Sequence, residues 1–530
     1  MATVAANVAR ILRSAGVSYM FGYPGGEVVE FMDEARKEGI SFILTRHENA
    51  AAFAAGVTGQ LTGAPGVCVS TLGPGATNMA TGVANAWMDR DPLIAITGQI
   101  STSRRDIATH QVMDVNAFYR PITKWSVTLE PGSAAQVMLK CLRIATADRP
   151  GPVHVCIPSN IAKADAGPAV EESLCKWLTD QPVPSSEAIA RAARAISFAR
   201  RPVIAAGMGV VRSGASGEFV RFAERLGAPV VVAPKAKGAI PEDHPLFAGV
   251  LEMLGDAVVL RLVDSADLII ACGLDVVELD KPWGFRAPVI HVDTLPNADE
   301  YYRAHVEVVG DLHQTLAALG ERVERAAGWT MDELEDVRRE LNDLISRRGG
   351  CMTPLDAVRL IRAKVPRDAI ATCDVGAHKF LMGQAWTTYS PNTFLVSNGL
   401  SSMGYGIPAA IAAQMLFPER PVVAVVGDGG FGMYMGEIET AVRLGLRMLV
   451  VVMSDEHLSL IAMGQEKRGL PQYGVSFTRS DLARVAEGLG AAGYIAEDLR
   501  QLDACVDKWL SDRRLTVIQA NVDPQAYRLR

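Results

Sequence analysis

Short apolar segments rich in β-branched residues alternate with helical patterns along almost the whole chain of 530 residues. Near the N-terminus, SFILTR is followed by an alanine-rich helical pattern, then by GVCVSTLGPG, a second helical pattern and LIAITGQ. Strands separated by helices of this length are joined by crossover connections, which is typical of parallel sheets covered by helices. The sequence therefore predicts an α/β fold built of doubly wound parallel sheets.

The length exceeds what a single hydrophobic core usually supports, and two polar stretches divide the chain. Residues 164–188 concentrate Pro, Ser, Gly and acidic residues, a composition that predicts an interdomain linker. Residues 331–350 form a strongly charged helical pattern ending at Gly349 and Gly350, which predicts a solvated helix before a connection. We therefore predict three α/β domains, at 1–165, 185–330 and 352–530.

Composition and patterning exclude several classes of partner. With 52 Lys and Arg against 59 Asp and Glu, the net charge is −7, which gives no electrostatic basis for binding nucleic acid or an anionic membrane. The longest apolar runs fall far short of the roughly 20 residues of a membrane-spanning helix. The 8 cysteines are scattered without a C-x-x-C pair, a pattern that fits a reducing compartment. The N-terminal residues have the pattern of an amphipathic helix and not of a signal peptide. We expect a cytoplasmic protein without a membrane segment.

The segment PVIAAGMGVVRSG places Gly207 and Gly209 directly after a predicted strand. Their spacing differs from the G-x-G-x-x-G pattern of dinucleotide-binding turns. The favoured interpretation is a tight strand-to-helix turn in a Rossmann-like domain that binds no nicotinamide. A nicotinamide-dependent dehydrogenase is the weaker alternative.

A second glycine-rich segment carries acidic residues at positions suited to a metal ion. One buried-strand pattern ends in GDGG (427–430) and the next ends at Asp455, with a helix predicted to begin near Met435 between them. Because parallel strands present their carboxyl ends at one edge of the sheet, Asp428 and Asp455 should lie on the same rim. Glycines let the backbone approach a phosphate closely, and two carboxylates suit a hard octahedral cation such as Mg²⁺.

This segment resembles the coenzyme-binding motif of the thiamine-diphosphate (ThDP) dependent enzymes, which is GDG followed by an N-N-like turn. Further motifs follow in the family's order: FGYPGG (21–26), TRHENAAAFAAG (45–56), TLGPGATN (71–78), PITKW (121–125), RPGPVHVCIP (149–158), AIPEDHPLFAG (239–249) and GLSSMGYGIPAAI (399–411). The resemblance covers nearly the whole chain and is greatest to the acetolactate-synthase branch. It implies a pyrimidine-binding domain, a central Rossmann-like domain and a diphosphate-binding domain.

The resemblance implies a catalytic role for Glu48. In this family a carboxylic acid bonded to the aminopyrimidine ring favours the imino tautomer, whose nitrogen then removes the C2 proton of the thiazolium. Read alone, a Glu at the start of an alanine-rich helix is better explained as a charge favoured by the helix dipole.

Two further residues are implied on the substrate side of the site. Gln111 keeps a family position, whereas His110 stands where acetolactate synthases carry Phe. By resemblance His110 faces the bound intermediate as an acid, a base or a carboxylate anchor. The structural alternative is an ordinary surface histidine. Lys124 also matches the family, unless it is only a surface charge.

At the other end of the coenzyme, the resemblance implies a divalent metal ion, Mg²⁺ or Ca²⁺, that carries the diphosphate. Asp428 is the first ligand, Asp455 takes the position where the family usually has Asn, and His457 contributes its backbone carbonyl. Two carboxylates facing a diphosphate add negative charge that is tolerable only with a cation bound. Cofactor binding should therefore depend strongly on the metal.

The other coenzyme contacts that the resemblance implies come from loops. Met403 is the apolar residue that holds the coenzyme bent, and the backbone near Ser401 bonds the pyrimidine amino group. The loop near the pyrimidine, which the partner subunit contributes, consists of Pro24, Gly25 and Gly26. The loops around the diphosphate contain Gly376, His378, Gly427, Gly429 and Gly430.

The central domain bears on a second cofactor. Biosynthetic acetolactate synthases bind a structural FAD there, through a glycine run and an arginine-containing segment after a strand. This chain has AAGMG at the first place and CGLDVVELDKPW, without arginine, at the second. We predict no FAD.

The activity that the resemblance implies is that of a ThDP- and Mg²⁺-dependent lyase or carboligase. It would decarboxylate a small 2-oxo acid and transfer the acyl carbanion to a second carbonyl, as in acetolactate formation. Two alternatives stay open: a simple 2-oxo-acid decarboxylase similar to benzoylformate decarboxylase, and a ThDP-binding relative without turnover.

The resemblance also implies an oligomer. Because the family places the activating Glu and the metal ligands on different subunits, a homodimer is the minimum assembly and a homotetramer is favoured.

Overall fold

The computed structural model of the chain describes residues 2–107, 109–167, 181–346 and 352–527. Within these ranges the chain forms three sheets of six strands each, and neighbouring strands pair in parallel. This confirms the predicted α/β fold of three doubly wound parallel-sheet domains. Most of the predicted linker (168–180), together with Gly349 and Gly350, lies outside the described residues.

The first sheet has strands β1 (Tyr19–Tyr23), β2 (Ser41–Leu44), β3 (Gly66–Ser70), β4 (Leu93–Gln99), β5 (Trp125–Thr128) and β6 (Pro152–Pro158). The strands lie in the order β2-β1-β3-β4-β6-β5. The helices of this part are α1 (Val4–Ser14), α2 (Val29–Lys37), α3 (Glu48–Thr62), α4 (Pro74–Asp89), α5 (Val115–Tyr119), α6 (Ala134–Thr146) and α7 (Ser159–Lys163). The predicted N-terminal helix is therefore present, and the Thr3 hydroxyl caps it by accepting from the Ala6 N–H.

The second sheet has strands β7 (Pro202–Ala206), β8 (Val230–Val232), β9 (Phe247–Val250), β10 (Leu268–Cys272), β11 (Val289–Asp293) and β12 (Ala304–Val309). Their order is β12-β11-β10-β7-β8-β9. The helices here are α8 (Ser186–Phe198), α9 (Met208–Arg212), α10 (Ser216–Leu226), α11 (Asp256–Asp264), α12 (Leu312–Gly320) and α13 (Met331–Ile345).

The third sheet has strands β13 (Ile370–Cys373), β14 (Phe394–Val396), β15 (Val422–Gly427), β16 (Leu449–Ser454), β17 (Ala492–Ala496) and β18 (Thr516–Asn521). Their order is β14-β13-β15-β16-β18-β17. The helices are α14 (Pro354–Lys364), α15 (Ala377–Ala385), α16 (Gly406–Leu416), α17 (Asp428–Tyr434), α18 (Glu437–Arg443), α19 (Ser459–Lys467), α20 (Leu482–Gly488) and α21 (Leu499–Asp512).

The first and third sheets share one strand order, because each runs second, first, third, fourth, sixth and fifth strand of its own set. In both sheets, counting strands in chain order, the connection after the first strand leads to one side of the sheet and the connection after the third strand leads to the other. This creates a crevice at the carboxyl ends of β1 and β3, and an equivalent one at β13 and β15. Ligands of doubly wound sheets bind in such crevices.

A single hydrophobic cluster joins the first and third sheets through α3 and α16. The Phe53 ring meets the Tyr405 ring edge-on, with centroids 5.7 Å apart. Helix α3 is built largely of Ala and Gly, which lets its neighbours come close: a Cβ on Gly82 of α4 would lie 2.5 Å from the Ala52 methyl. The small residues of TRHENAAAFAAG thus serve close packing of the helix that starts at Glu48.

The charged segment predicted as a solvated helix forms α13, with Thr330 and Glu333 making a reciprocal capping box. One face of α13 is apolar, and its Leu334, Leu341 and Ile345 are buried in the core of the second sheet. The helix is thus docked on α11 while its charged face stays in water.

No helix in the described part of the chain is long and apolar enough to cross a membrane. The cysteines within that part, Cys68, Cys141, Cys156, Cys272, Cys373 and Cys505, are all free thiols.

Candidate active site

The predicted cofactor residues lie at the crevices of the first and third sheets. Gly25 and Gly26 follow β1, and TLGPG (71–75) follows β3. In the third sheet, Gly376 follows β13, and residues 428–430 follow β15, which ends at Gly427. We call the loops 24–26, 46–48 and 71–78 the first rim, and the loops 374–378, 398–404, 427–430 and 455–457 the third rim.

On the third rim, Asp428 is fixed by three backbone N–H groups. Its Oδ1 accepts from Gly429 (2.8 Å), and its Oδ2 accepts from Glu456 (2.7 Å) and Asp455 (3.2 Å). Burial raises the pKa of the Asp428 carboxyl, although the three N–H groups act in the opposite direction. These contacts bring the two predicted metal ligands side by side, as expected for residues that follow two neighbouring parallel strands.

Asp455 is held within its own turn. Its Oδ1 accepts from the His457 N–H (3.1 Å) and its Oδ2 from the Ser459 hydroxyl (2.5 Å). Burial, reinforced by the charge of Asp428, raises the pKa of Asp455 to about 6. The His457 ring is engaged by its Nδ1 with the Asp455 carbonyl oxygen at 2.9 Å. Two neighbouring, partly desolvated carboxylates are a donor set that fits a hard divalent cation.

The helix predicted to begin near Met435 is present as α18, which begins at Glu437. A further short helix, α17, was not predicted and begins at Asp428. Glycines disfavour a helix, but the burial of Phe431 and Tyr434 in the cluster between the sheets outweighs that preference. The GDGG glycines therefore form the first turn of a helix.

His378 has a buried ring nitrogen without a partner in the described structure. Its ring packs between two glycines: a Cβ would lie 2.8 Å from it at Gly376 and 3.2 Å from it at Gly427. Burial lowers the pKa of His378 to about 4, which keeps the ring neutral. Its Nε2 makes no hydrogen bond to any residue that the structure describes. An unpaired buried polar atom is costly, so this nitrogen fits an oxygen of a ligand such as a diphosphate.

Met403 lies directly against the GDGG turn. A Cβ on Gly429 would lie 3.2 Å from the Met403 methyl carbon. The loop that carries Met403 is held by Asp374, whose Oδ1 accepts from the Gly404 N–H at 2.7 Å. A Cβ on Gly430 would lie 2.0 Å from Asp374 Oδ2, so only glycine fits there. Sequence reasoning missed Asp374, although it follows a buried strand at the same edge as Asp428 and Asp455.

Ser401 adopts a left-handed conformation with φ +51°. Its hydroxyl donates to the Asn398 carbonyl oxygen (2.8 Å) and accepts from the Lys379 ammonium (2.9 Å). The loop beside Met403 is thus held from two sides.

On the first rim, Glu48 is the first residue of α3 and is 8% exposed. Its Oε2 accepts from the Asn78 side-chain amide at 3.0 Å. A Cβ on Gly75 would lie 3.3 Å from its Oε1, so the loop after β3 closes over the carboxylate. Sequence reasoning missed Asn78, whose signal was its place at the end of the TLGPGATN motif.

The neighbouring loops of the first rim pack on glycines. A Cβ on Gly25 would lie 2.1 Å from the Thr71 hydroxyl oxygen, and one on Gly73 would lie 2.8 Å from the Gln111 Cβ. Gln111 therefore lies at the first rim, with a left-handed φ of +59°. Its neighbour His110 is exposed.

Glu437 of α18 ties the third domain to the turn before Glu48. Its Oε1 accepts from the backbone N–H groups of Arg46 (2.8 Å) and His47 (3.1 Å), and the residue is 1% exposed. Nearby, the Asn49 amide donates to the Tyr434 hydroxyl at 2.5 Å. Sequence reasoning missed Glu437, because a Glu inside a helical pattern carries no local sign of such a contact.

Lys124 has a structural role in this fold. Its ammonium donates to the carbonyl oxygens of Ala147 (3.0 Å) and Arg149 (2.8 Å), which holds the loop before β6. Burial lowers its pKa to about 8.

In the central domain, Gly207 and Gly209 form the expected strand-to-helix turn between β7 and α9. A Cβ on Gly207 would lie 2.3 Å from the Gly273 carbonyl oxygen. The fully buried Glu278 carboxylate accepts from the N–H groups of Met208 (2.8 Å) and Asp275 (3.2 Å). An internal carboxylate thus takes the place at this turn where a dinucleotide would put its diphosphate.

Comparison with known proteins identifies the class. The chain matches "Thiamine pyrophosphate enzyme, N-terminal TPP binding domain" over residues 2–118, "Thiamine pyrophosphate enzyme, central domain" over 189–319 and "Thiamine pyrophosphate enzyme, C-terminal TPP binding domain" over 374–520. It belongs to the family of thiamine-pyrophosphate-dependent enzymes.

Within that family the chain belongs to the acetolactate-synthase-like branch. It is 34% identical to a "Probable acetolactate synthase large subunit" of Methanocaldococcus jannaschii, over 91% of this chain and 85% of that protein. It is 32% identical to "Acetolactate synthase, catabolic" of Raoultella terrigena, over 93% and 90% of the two chains. It is 30% identical to "Acetolactate synthase" of Bacillus subtilis, over 96% and 91%.

Proposed function

We propose that the protein is a ThDP- and Mg²⁺-dependent carboligase that decarboxylates a small 2-oxo acid and joins the remaining acyl unit to a second carbonyl compound. The observation that carries the proposal is the third rim. There Asp428 and Asp455 lie side by side in the crevice of a doubly wound sheet. The His378 ring packs against Gly427, the residue before Asp428, and its Nε2 has no partner among the residues that the structure describes. An anionic coenzyme bound through a divalent cation satisfies all three groups.

The residues have distinct roles toward the coenzyme. The carboxylates of Asp428 and Asp455 and the carbonyl of His457 would hold Mg²⁺, or Ca²⁺ in its place. His378 Nε2 would donate to a diphosphate oxygen, with Gly376 and the glycines at 427, 429 and 430 leaving room for it. When bound, ThDP would supply a nucleophilic thiazolium carbon and a cationic ring that accepts the electron pair left by departing CO₂.

Glu48 is the residue that moves the activating proton. Its Oε2 is engaged by Asn78, which leaves Oε1 to hold the proton toward the pyrimidine ring. The closed loop 71–78 limits the access of water to this carboxyl group. Pro24, Gly25 and Gly26 would line the pyrimidine side, and Met403 and the Ser401 backbone would hold the bent coenzyme from the third rim.

On the substrate side we assign Gln111 and His110. Gln111 lies at the first rim against Gly73. His110 is exposed in this chain, so its role requires that the bound substrate or a partner subunit covers it.

The proposed assembly is a homodimer at minimum, with a homotetramer favoured. Exposed apolar side chains on or beside the rims support it, because such side chains mark interaction surfaces when they cluster. They include Tyr23 (44% exposed), Leu400 (36%), Met433 (59%) and Met435 (41%). Pairing would let the first rim of one chain face the third rim of another. We also propose a cytoplasmic location, which the free thiols of the described cysteines support.

No FAD is expected in this enzyme. The anion position at the Gly207 turn is filled by Glu278, whose carboxyl group accepts from the Met208 N–H and occupies the space that a diphosphate oxygen would need. Purified protein is therefore expected to lack flavin absorbance and to gain none on incubation with FAD.

The deciding experiment is product analysis by mass spectrometry after protein reconstituted with ThDP and Mg²⁺ is fed a panel of 2-oxo acids and aldehydes. Acetolactate or another acyloin product supports the proposal. Release of the aldehyde alone would assign a simple decarboxylase. No conversion of pyruvate would exclude an acetolactate-forming activity.

A further inference from the structure

Asp89 is a buried carboxylate of the first domain that binds a loop of the third domain. It is the last residue of α4 and is 2% exposed. Its Oδ1 accepts from the backbone N–H groups of Gly399 (2.7 Å) and Asn398 (3.2 Å), at the start of the third-rim loop 398–404. A Cβ on Gly399 would lie 2.6 Å from the Met88 carbonyl oxygen, so this loop lies directly against the end of α4. A carboxylate that accepts from two backbone N–H groups fixes the backbone that carries them.

A second contact holds the same loop from α4. The Ser397 hydroxyl donates to Asn85 Oδ1 (2.5 Å) and accepts from the Ser402 N–H (3.0 Å). The Asn85 amide in turn donates to Asp89 Oδ2 at 3.2 Å. Asn85, Asp89 and Ser397 are each at most 2% exposed. They form one buried network in which both carboxylate oxygens of Asp89 act as acceptors.

A lysine of the second domain supplies the opposite charge. The Lys235 ammonium donates to the Asp89 carbonyl oxygen (2.9 Å) and to Asp91 Oδ1 (3.2 Å), and it lies 3.8 Å from Asp89 Oδ2. Two neighbouring carboxylates would be costly to bury without such a cation. The second domain also contacts the loop directly, because the Asn398 side-chain amide donates to the Glu278 carbonyl oxygen at 3.0 Å. All three domains therefore meet at this loop.

The anchored end of the loop is linked to the residue that we assign to the pyrimidine. The Ser401 hydroxyl donates to the Asn398 carbonyl oxygen at 2.8 Å. Ser401 also has a φ of +51°, a conformation that persists in a non-glycine residue where the surrounding structure holds it. A shift of Asn398 would therefore move the backbone at Ser401 and, two residues on, Met403.

We propose that Asp89 is a positioning residue for the coenzyme, which holds loop 398–404 where the Ser401 backbone meets the amino group of the pyrimidine ring. This inference rests on the proposed function, which assigns that backbone to the coenzyme. Asp89 acts through Asn398 and Gly399 and not by its own contact with the ring. Recognition of the amino group should therefore depend on Asp89, whereas the contacts to the diphosphate should not.

The test compares the Kd of ThDP with the Kd of an analogue that lacks the pyrimidine amino group, by calorimetry on protein supplied with Mg²⁺. In wild type the amino group should strengthen binding about tenfold, the usual effect of one hydrogen bond. In Asp89→Asn this ratio should fall to about two, because the new amide nitrogen faces another donor, either a loop N–H or the Asn85 amide. A variant that is merely less stable would weaken both ligands alike and leave the ratio unchanged.

Asp91→Asn is the matched control. Asp91 is also 2% exposed and pairs with the same lysine, but within the described ranges its carboxylate makes no hydrogen bond to loop 398–404. This variant should keep the wild-type ratio. An unchanged ratio in Asp89→Asn, or an equal fall in the two variants, would overturn the proposal.

Ser397→Ala decides the question if Asp89→Asn does not fold. It frees the Asn85 amide that orients Asp89 and leaves the Ser402 N–H without its acceptor. Its ratio should also fall, and a ratio equal to that of wild type would refute the positioning role.

Turnover of 2-oxo acids, measured on the same proteins, separates this inference from the proposed function. If wild type converts no 2-oxo acid but the ratio depends on Asp89, the proposed function fails and the positioning role stands. If wild type converts 2-oxo acids and the ratio is independent of Asp89, the positioning role fails and the proposed function stands.

Discussion

The Glu437 carboxylate lies 2.8 Å from the backbone nitrogen of Arg46, two residues before Glu48. It is also 3.1 Å from the nitrogen of His47, which caps the helix that Glu48 begins. A buried side chain of the third domain therefore sets the direction in which α3 presents the proposed proton-transferring residue.

Replacing Glu437 by Ala should loosen that turn. Two buried N–H groups lose their acceptor, which should destabilise the protein by about 2 to 4 kcal/mol. Exchange of the C2 proton of bound ThDP, followed by NMR, should slow about tenfold. Glu437→Gln keeps an oxygen at the same place and serves as control, since it should retain most of the exchange rate. Equal exchange in Glu437→Ala and wild type would remove the positioning role.

Replacing Glu48 by Gln should separate binding from activation. The amide keeps the shape of the side chain, so ThDP affinity should stay within a few-fold of wild type. The C2 exchange rate should fall by about 100-fold or more, because the group that supplies the proton is gone. Unaltered exchange in this variant would refute the role assigned to Glu48.

Asp455→Asn should make coenzyme binding less dependent on the metal. The change removes one of two adjacent negative charges that face the diphosphate. In the presence of EDTA, the Kd for ThDP should fall about tenfold, whereas with saturating Mg²⁺ the two proteins should differ little. Ser459→Ala is the matched control, because it removes the hydrogen bond to Asp455 without altering charge. Fluorescence titration with ThDP measures both conditions, and an unchanged Kd in EDTA would contradict the charge argument.

Glu278→Gln should alter the pH dependence of stability. Burial raises the pKa of Glu278 to about 8, above its ordinary value near 4.5. The folded protein binds this proton more tightly than the unfolded chain does, so the stabilisation is complete below about pH 4.5 and is lost as pH rises through 8. Across this window wild type should lose up to about 1.4 kcal/mol per pH unit from this group, and Glu278→Gln should lose less.

Thermal unfolding at pH 5.5 and 8.5 measures the difference. The wild-type decrease in Tm between these pH values should exceed that of Glu278→Gln. Glu321→Gln, at the exposed end of α12, should behave like wild type. If wild type and Glu278→Gln decline in parallel, the Glu278 carboxyl does not titrate as proposed.

Much of the fold could be predicted because it depends on local pattern. Buried strands such as Val422–Gly427 read as apolar runs, and the alternation with helices leaves few topologies other than parallel sheets. The third rim was predictable for the same reason, because Asp428 and Asp455 come directly after such strands. The start of α17 was not, because glycine argues against a helix and only the burial of Phe431 and Tyr434 reverses that.

The residues that sequence reasoning missed act across long stretches of chain. Glu437 contacts Arg46, and Glu278 contacts Met208, in each case from a different secondary-structure element. Neither carries a local sign of its partner, since a Glu in a helical pattern is normally an exposed charge. Such contacts are decided by tertiary packing, which no single-sequence pattern records.

The shared strand order of the first and third sheets has a consequence for stoichiometry. Each chain carries one crevice of each kind on the same scaffold. In the proposed assembly, a complete pocket would use the first rim of one chain and the third rim of another. In a symmetric dimer or tetramer of identical chains, the number of complete pockets then equals the number of chains. Saturation should therefore be reached at one coenzyme molecule per chain.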